Sequence, residues 1–352
     1  MKEAFMPGPA VADTRTTGRT LGSEVITPLV LFGLTVLLVI ASRWISPSLG
    51  GFHQVAAIIV LSSFLMVVAF GQQMVVLIGG LDLSVPSLLT LGGILTFAWS
   101  TPSGWSFIWI LLVVLIVNGA IGALSGAGIA WLRIPPFIMT LAMGIIIYSA
   151  ALGITAGTPR GHPSAALGSL FSGRLLGLPP IIYIMVLFVA FGTVLQSFTP
   201  FGRKLYALGT SPIAAHVAGL PVGWLTVATY AISAAAAGCA GFLLVGYAGG
   251  ATLVMGQSYL LPSIAAVVVG GTSILGGRGN YISAVAASLL LTTFSTIISS
   301  IQILEGWRTI IYGCLILIAI AALREDLPIW LNRSLQRPSR PPQQPAAATS
   351  TQ

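Results

Sequence analysis

From Ile26 onward, long apolar runs alternate with short breaks made of glycine, proline and isolated charges. Ten runs stand out, over residues 26–45, 55–78, 84–100, 107–131, 136–156, 180–199, 223–247, 261–275, 281–303 and 308–323. Most come close to the ~20 residues that a helix needs to cross hydrocarbon. Runs of this length offer water no polar face, and a backbone in lipid must satisfy its own hydrogen bonds, so the pattern predicts helices rather than strands. The run at 261–275 is short and the run at 84–100 starts at a proline-containing turn, so both read as half or broken helices. The expected fold class is an all-α polytopic membrane protein with about ten transmembrane helices, some of them half-length. Pro86-Ser87 ahead of Gly92-Gly93 echoes Pro262-Ser263 ahead of Gly270-Gly271. Their spans would run in opposite directions, as an inverted-repeat pair requires.

Composition fixes the solvent. The chain has 352 residues, is 56% hydrophobic and only 6% charged, and cannot bury its apolar groups in one aqueous core. A net charge of +8 raises the question of nucleic acid, but the basic residues stand singly between apolar runs or lie in the tails. No nucleic-acid partner is expected, and the partner surface along the spans is membrane lipid. Cys239 and Cys314 lie in apolar stretches without metal-ligand spacing and read as packing residues. His53, His162 and His216 are scattered in predicted loops, so no metal and no cofactor is expected. The first 25 residues carry no apolar core of the cleavable kind, and Ile26–Ile45 reads as the first anchor.

Basic residues orient the chain. With a cytoplasmic N-terminus and ten alternating spans, the inner loops and tails hold Lys2, Arg15, Arg19, Arg133, Arg203, Lys204, Arg278, Arg324, Arg333, Arg337 and Arg340. Only Arg43, Arg160, Arg174 and Arg308 fall outside, the bias that the positive-inside rule demands. The expected organisation is a cytoplasmic tail over 1–25, a membrane domain over 26–323 with a cytoplasmic loop at 200–222, and a cytoplasmic tail over 324–352. The last tail is rich in Pro, Gln, Ala, Ser and Thr and reads as disordered.

Three loops carry the candidate chemistry. In Gly80-Leu81-Asp82-Leu83-Ser84-Val85-Pro86-Ser87, the carboxylate of Asp82 precedes a helix start, where it can accept from free backbone N–H groups. It reads either as a capping turn or as a polar hinge of the pathway formed by Asp82, Ser84, Pro86 and Ser87. The second loop, 201–222, carries Gly202, Arg203, Lys204, Tyr206 and Gly209, then Pro212, Ala215 and Gly219. Short helices bounded by Pro200, Pro212 and Pro221 make a rigid protrusion, and a docking surface for a cytoplasmic motor fits this better than a loop that only anchors charge. The third, Gly271-Thr272-Ser273-Ile274-Leu275-Gly276-Gly277-Arg278-Gly279, imitates the start of a phosphate loop but lacks the following Lys and Ser/Thr. Gly276, Gly277, Arg278 and Gly279 read instead as a tight turn and hinge.

Four segments together resemble one family: Gly-Leu-Asp-Leu-Ser-Val at 80–85, Arg-Ile-Pro-Pro-Phe-Ile-Met-Thr-Leu at 133–141, Gly-Arg-Lys-Leu-Tyr-Ala-Leu-Gly at 202–209, and Ile-Ala-Ala-Val-Val-Val-Gly-Gly-Thr-Ser-Ile-Leu-Gly-Gly-Arg-Gly at 264–279. The chain is similar over residues 50–323 to the ribose/xylose/arabinose-type permeases, the membrane subunits of bacterial ABC sugar importers. The resemblance implies a bacterial inner-membrane permease without enzymatic activity of its own. It implies a cytoplasmic ATPase partner, a periplasmic sugar-binding protein and a second permease copy, identical or related. Pro86 and Pro262-Ser263 depart from the family pattern, which bears on the solute more than on the mechanism.

The expected mechanism is alternating access between two copies, with 202–219 converting closure of the ATPase into helix movement. A neutral sugar needs hydroxyl-matching groups, and Gln72, Gln73, Thr90 and Asn118, with Ser62 and Ser63, are candidates, each with helix-to-helix bonding as the competing use. Gly122 and Gly126 form a GxxxG pattern expected to pack helices within one chain. The segment 157–180 reads either as a landing surface for the binding protein or as a connector. An ion-coupled secondary transporter is the rival reading. It normally needs ionisable groups within the membrane, and Asp82 is the only candidate.

Overall fold

A computed structural model describes residues 21–44, 50–100, 107–162, 164–300 and 305–322. Residues 1–20 and 323–352, which hold most of the two expected tails, lie outside the described residues, and α1 takes in 21–25. Thirteen α-helices are described: α1 Leu21–Ser42, α2 Phe52–Leu77, α3 Val85–Trp99, α4 Phe107–Ala130, α5 Pro136–Thr155, α6 Ala165–Ser172, α7 Pro180–Ser197, α8 Pro200–Thr210, α9 Pro212–Val217, α10 Val222–Ala248, α11 Leu260–Val269, α12 Tyr281–Ser300 and α13 Glu305–Ala322. No strand is present among the described residues. Seven helices there are long and apolar enough to cross a membrane, namely α1, α2, α4, α5, α7, α10 and α12. The chain is an all-α polytopic membrane protein.

The two short apolar helices are where the sequence places breaks. Gly79, in the left-handed region at φ +77, ends α2, and Pro86 sits in the first turn of α3. Proline is tolerated there because that N–H has no intrahelical partner to lose. Beyond α10, Gly249 at φ +70 turns the chain back, and a 3-10 turn over Gln257–Tyr259 leads into α11. The N-terminal regions of α3 and α11 meet: the Gly256 N–H donates to Thr90 Oγ1 at 3.2 Å, and the Gly256 backbone lies against that of Pro86. From this meeting point the two helices lead to opposite ends of the bundle. The C-terminal part of α3 bonds through the Phe97 carbonyl to His162, near α6, while α11 leads to Gly277, which bonds to Leu77 near α8.

Helix α10 is the hub. Lipid is as apolar as leucine, so helices in a membrane associate by close approach of small residues rather than by apolar burial. The stretch Ser233-Ala234-Ala235-Ala236-Ala237-Gly238-Cys239-Ala240-Gly241 supplies them. A methyl group on Gly92 would sit 2.4 Å from the Gly238 carbonyl, and one on Gly122 would sit 2.3 Å from the Tyr230 carbonyl. Gly126 closes on Val227, so the GxxxG pattern packs α4 on α10 within the chain, as expected. Buried hydroxyls mostly bond to their own helix one turn back, among them Ser62, Ser63, Thr96, Thr229 and Ser288, and so need no partner across the bundle. Ile116, Ile145 and Leu187 on α4, α5 and α7 are exposed, as side chains facing lipid must be.

Candidate functional site: the α8–α9 elbow and the two helix breaks

The segment 200–217 folds as two short helices because each has its own start signal. Thr199 caps α8 by accepting from the Gly202 N–H at 3.2 Å, and Ser211 caps α9 by accepting from the Ala214 N–H at 3.2 Å. Pro200 and Pro212 fill the first turns. Leu205 and Leu208 of α8 and Ala215 of α9 are buried, and Leu208 and Ala215 build a small core with Leu225 at the start of α10. Ile78 and Phe201 pack against it. The elbow is thus a rigid appendage seated on the ends of α2 and α10.

Its eight sequence-nominated residues divide between two faces. Gly202, Tyr206, Gly209 and Ala215 look inward, whereas Arg203, Lys204, Pro212 and Gly219 are exposed. The inward glycines permit close seating. A Cβ on Gly209 would lie 1.9 Å from the Leu77 carbonyl and 2.5 Å from the Gly277 nitrogen. On the outer face, Ile213 and Val217 of α9 are 80% and 82% exposed, next to the exposed His216. The sequence reading missed these two. Apolar residues at spacing i, i+4 read as core, and only the burial of Ala215 on the other side shows that they face out.

The inward face reaches the loop at 270–280. The Tyr206 hydroxyl donates to the Gly279 carbonyl at 2.6 Å, and Gln196 Nε2 of α7 donates to the Tyr206 oxygen at 2.9 Å and to the Gly279 carbonyl at 3.3 Å. On the other side of the loop, the Thr272 hydroxyl donates to Gln73 Oε1 of α2 at 2.7 Å. Gly271, Gly276 and Gly277 all take left-handed φ values near +80, and the Ser273 N–H bonds to the Arg278 carbonyl at 3.0 Å. The loop is a closed turn, as the glycine spacing requires. Arg278 is exposed.

The other break, 78–84, runs through the interior. Asp82 is the only acidic residue between Glu24 and Glu305 and is 1% exposed. It accepts from the Ser84 N–H at 3.0 Å and from the Ser84 hydroxyl, and its second oxygen accepts from Ser233 of α10 at 2.8 Å. Thr140 of α5 accepts from the Leu83 N–H at 3.1 Å, and its hydroxyl, which donates to the Pro136 carbonyl at 2.9 Å, also lies 3.3 Å from the Leu81 carbonyl. The Asp82 carboxylate therefore serves both as a turn former ahead of α3 and as a tie to α10. The cap position itself is Ser84, whose side chain makes no capping bond. Ser87 is buried beside Gly144 of α5.

Gln72, Gln73, Thr90 and Asn118 are all buried inside one subunit. Gln73 is held by Thr272, Thr90 accepts from Gly256, and Asn118 donates to the Val114 carbonyl at 2.9 Å while lying against Gly238. Both amide atoms of Gln72 find no protein partner. At the opposite end of the bundle, α6 and the end of α10 flank a cleft of about 570 Å³ lined by Ser164, Ser169, Phe171 and Tyr247. No group of His, Cys, Asp or Glu suited to a metal occurs among the described residues.

Comparison with known proteins follows the same lines. The family described as branched-chain amino acid transport system / permease component matches residues 54–320. The ribose import permease protein RbsC of Haemophilus influenzae is 30% identical over 311 residues, 87% of this chain and 96% of that protein. A probable ABC transporter permease protein, y4mJ of Sinorhizobium fredii, is 34% identical over 308 residues, 86% of this chain and 91% of that protein. The D-allose transport system permease protein AlsC of Escherichia coli is 29% identical over 272 residues, 76% and 82% of the two chains. No solved structure matches the chain.

Proposed function

Because the chain belongs to the family of permease components of branched-chain amino acid transport systems, we propose that it is the membrane subunit of a binding-protein-dependent ABC importer for a monosaccharide. The family name leaves the solute open, and the relatives named for ribose and D-allose favour a sugar over an amino acid. The chain's own chemistry agrees: Asp82 is the one buried acidic or basic side chain among the described residues and is already held by Ser84 and Ser233. A zwitterion crossing the bilayer would need charged partners, whereas a sugar needs only neutral hydrogen-bonding groups.

Two copies, identical or related, enclose the pathway, and a cytoplasmic ATPase and a periplasmic sugar-binding protein complete the importer. The membrane is the bacterial inner membrane with both termini cytoplasmic, as the basic-residue bias directs. The observation that carries the reading is the elbow. Two capped helices present Arg203, Lys204, Ile213 and Val217 outward while keying Gly209 into the end of α2. A charged and apolar face on a rigid base fits a protein partner. Closure of the ATPase pushes the elbow, and the elbow moves α2 and the loop at 270–280.

The test is charge reversal on that face. Arg203→Glu together with Lys204→Glu should leave membrane insertion intact and sharply reduce co-purification of the ATPase, because the reversed charges oppose the docking surface. Full retention of the ATPase by this variant would sink the docking role. In vesicles, uptake that requires ATP, the ATPase and the binding protein supports the importer, and uptake driven by an ion gradient alone supports the secondary-transporter reading instead.

A further inference from the structure

We infer that Tyr206, with Gln196 and Gln73, forms a hydrogen-bond switch around Gly279 that makes the elbow and the hinge at 270–280 move as one piece. The inference rests on the elbow being the element that the ATPase drives. It adds which bond carries the motion beyond the elbow.

Two features single out this cluster. The first is connectivity. A single carbonyl, that of Gly279, receives the Tyr206 hydroxyl from α8 at 2.6 Å and the Gln196 amide from α7 at 3.3 Å. From the same loop, Thr272 reaches Gln73 of α2 at 2.7 Å. Residues far apart in sequence thus join three helices at one turn, and that turn sits between α11 and α12. The backbone of Gly209 touching Leu77 and Gly277 gives steric contact, which resists a push but not a pull. The Tyr206 bond resists separation, so it transmits motion in the return direction as well.

The second feature is spare capacity. Gln196 Oε1 and Gln73 Nε2 are buried and find no protein partner, and they are an acceptor and a donor on either side of the same glycine. Gln73 Nε2 lies 2.7 Å from the position that a Cβ on Gly279 would take, so only a hydrogen there leaves the amide room. Unpaired buried groups favour any arrangement that pairs them. When α8 and the loop shift together, the Tyr206 and Gln196 bonds to Gly279 are kept, and the spare Gln196 Oε1 and Gln73 Nε2 can pair with each other. The cluster thus has two discrete pairings, the property a coupling element needs if it is to switch between states.

The test reads relative motion and needs no knowledge of the solute. The permease is purified with its ATPase and binding protein, Cys239 and Cys314 are replaced by serine, and spin labels are placed at Ala207→Cys on α8 and Leu275→Cys on the loop, both exposed positions. The distance between labels is measured without nucleotide and with ATP plus vanadate. With Tyr206 present the distance should hold, because the two elements travel together. In Tyr206→Phe, which keeps the ring and loses one oxygen, it should change on nucleotide addition while the ATPase remains bound. Gln196→Met, a change of similar volume, should shift the distance in the same direction and covers the case in which Tyr206→Phe does not fold. A distance that changes in the native chain, or one that holds in both variants with the ATPase bound, overturns the switch. Loss of the ATPase from Tyr206→Phe also overturns it, since Tyr206 would then belong to the docking face. Failure of the docking reading shows separately, as retention of the ATPase by the Arg203→Glu, Lys204→Glu variant.

Discussion

The breaks at 78–84 and 270–280 solve one problem with different chemistry. Each must satisfy the backbone and polar groups left where a helix has stopped. The first does so with a carboxylate: Asp82 holds Ser84 and Ser233, and Thr140 completes the loop. The second uses the neutral groups Thr272, Gln73, Tyr206 and Gln196. Asp82 gathers three hydrogen bonds on its two oxygens inside the bundle. The first break is therefore fastened to α10, the packing hub, while the second is bonded to α8, the element that projects from the bundle. One is a fixed point and the other a lever.

The contrast breaks most visibly at Asp82. Asp82→Ala removes the acceptor for Ser84 and Ser233 at once and leaves their donors buried, which should cost about 3 kcal/mol. Thermal unfolding of the purified protein in detergent checks this, and a midpoint close to that of the native chain would refute the fixed-point role. Next in size is Gly209→Ala. The added methyl has no room beside the Leu77 carbonyl and the Gly277 nitrogen, so α8 must lift from its seat. The expected outcome is a loss of about 1–3 kcal/mol in stability with a larger loss of ATP-driven uptake. Uptake equal to that of the native chain would show that the lever does not depend on close seating.

Much of this arrangement is legible in the sequence, because lipid leaves the backbone few options. The long spans follow from run length alone, and the short α3 follows from Gly79, Gly80 and Pro86. The elbow is legible through Thr199-Pro200 and Ser211-Pro212, which signal helix starts regardless of context. What stays hidden depends on distant partners. Gln73 looks like a solute contact until Thr272, 199 positions away, is found beside it. Ile213 and Val217 look like core until the fold turns them outward. The eight-residue helix α6 is hidden for a different reason, since so short a segment has little helical preference of its own and depends on packing against Gly246 through Leu167.

The finest cut between lever and fixed point is Thr272→Val. The substitution keeps the branched shape and removes the hydroxyl that donates to Gln73, so it tests one neutral bond and little else. Its cost should be about 1 kcal/mol, well below that of Asp82→Ala, because one bond is lost rather than three. The same change frees Gln73 Oε1 next to an amide nitrogen that already lacks a partner, which loosens the loop from α2 without touching α8. Uptake should therefore fall by more than the stability loss alone would bring, with the ATPase still bound. Comparing uptake with ATP hydrolysis in the same vesicles measures this, and a Thr272→Val variant as destabilised as Asp82→Ala would mean that both breaks are fixed points and that the lever lies elsewhere.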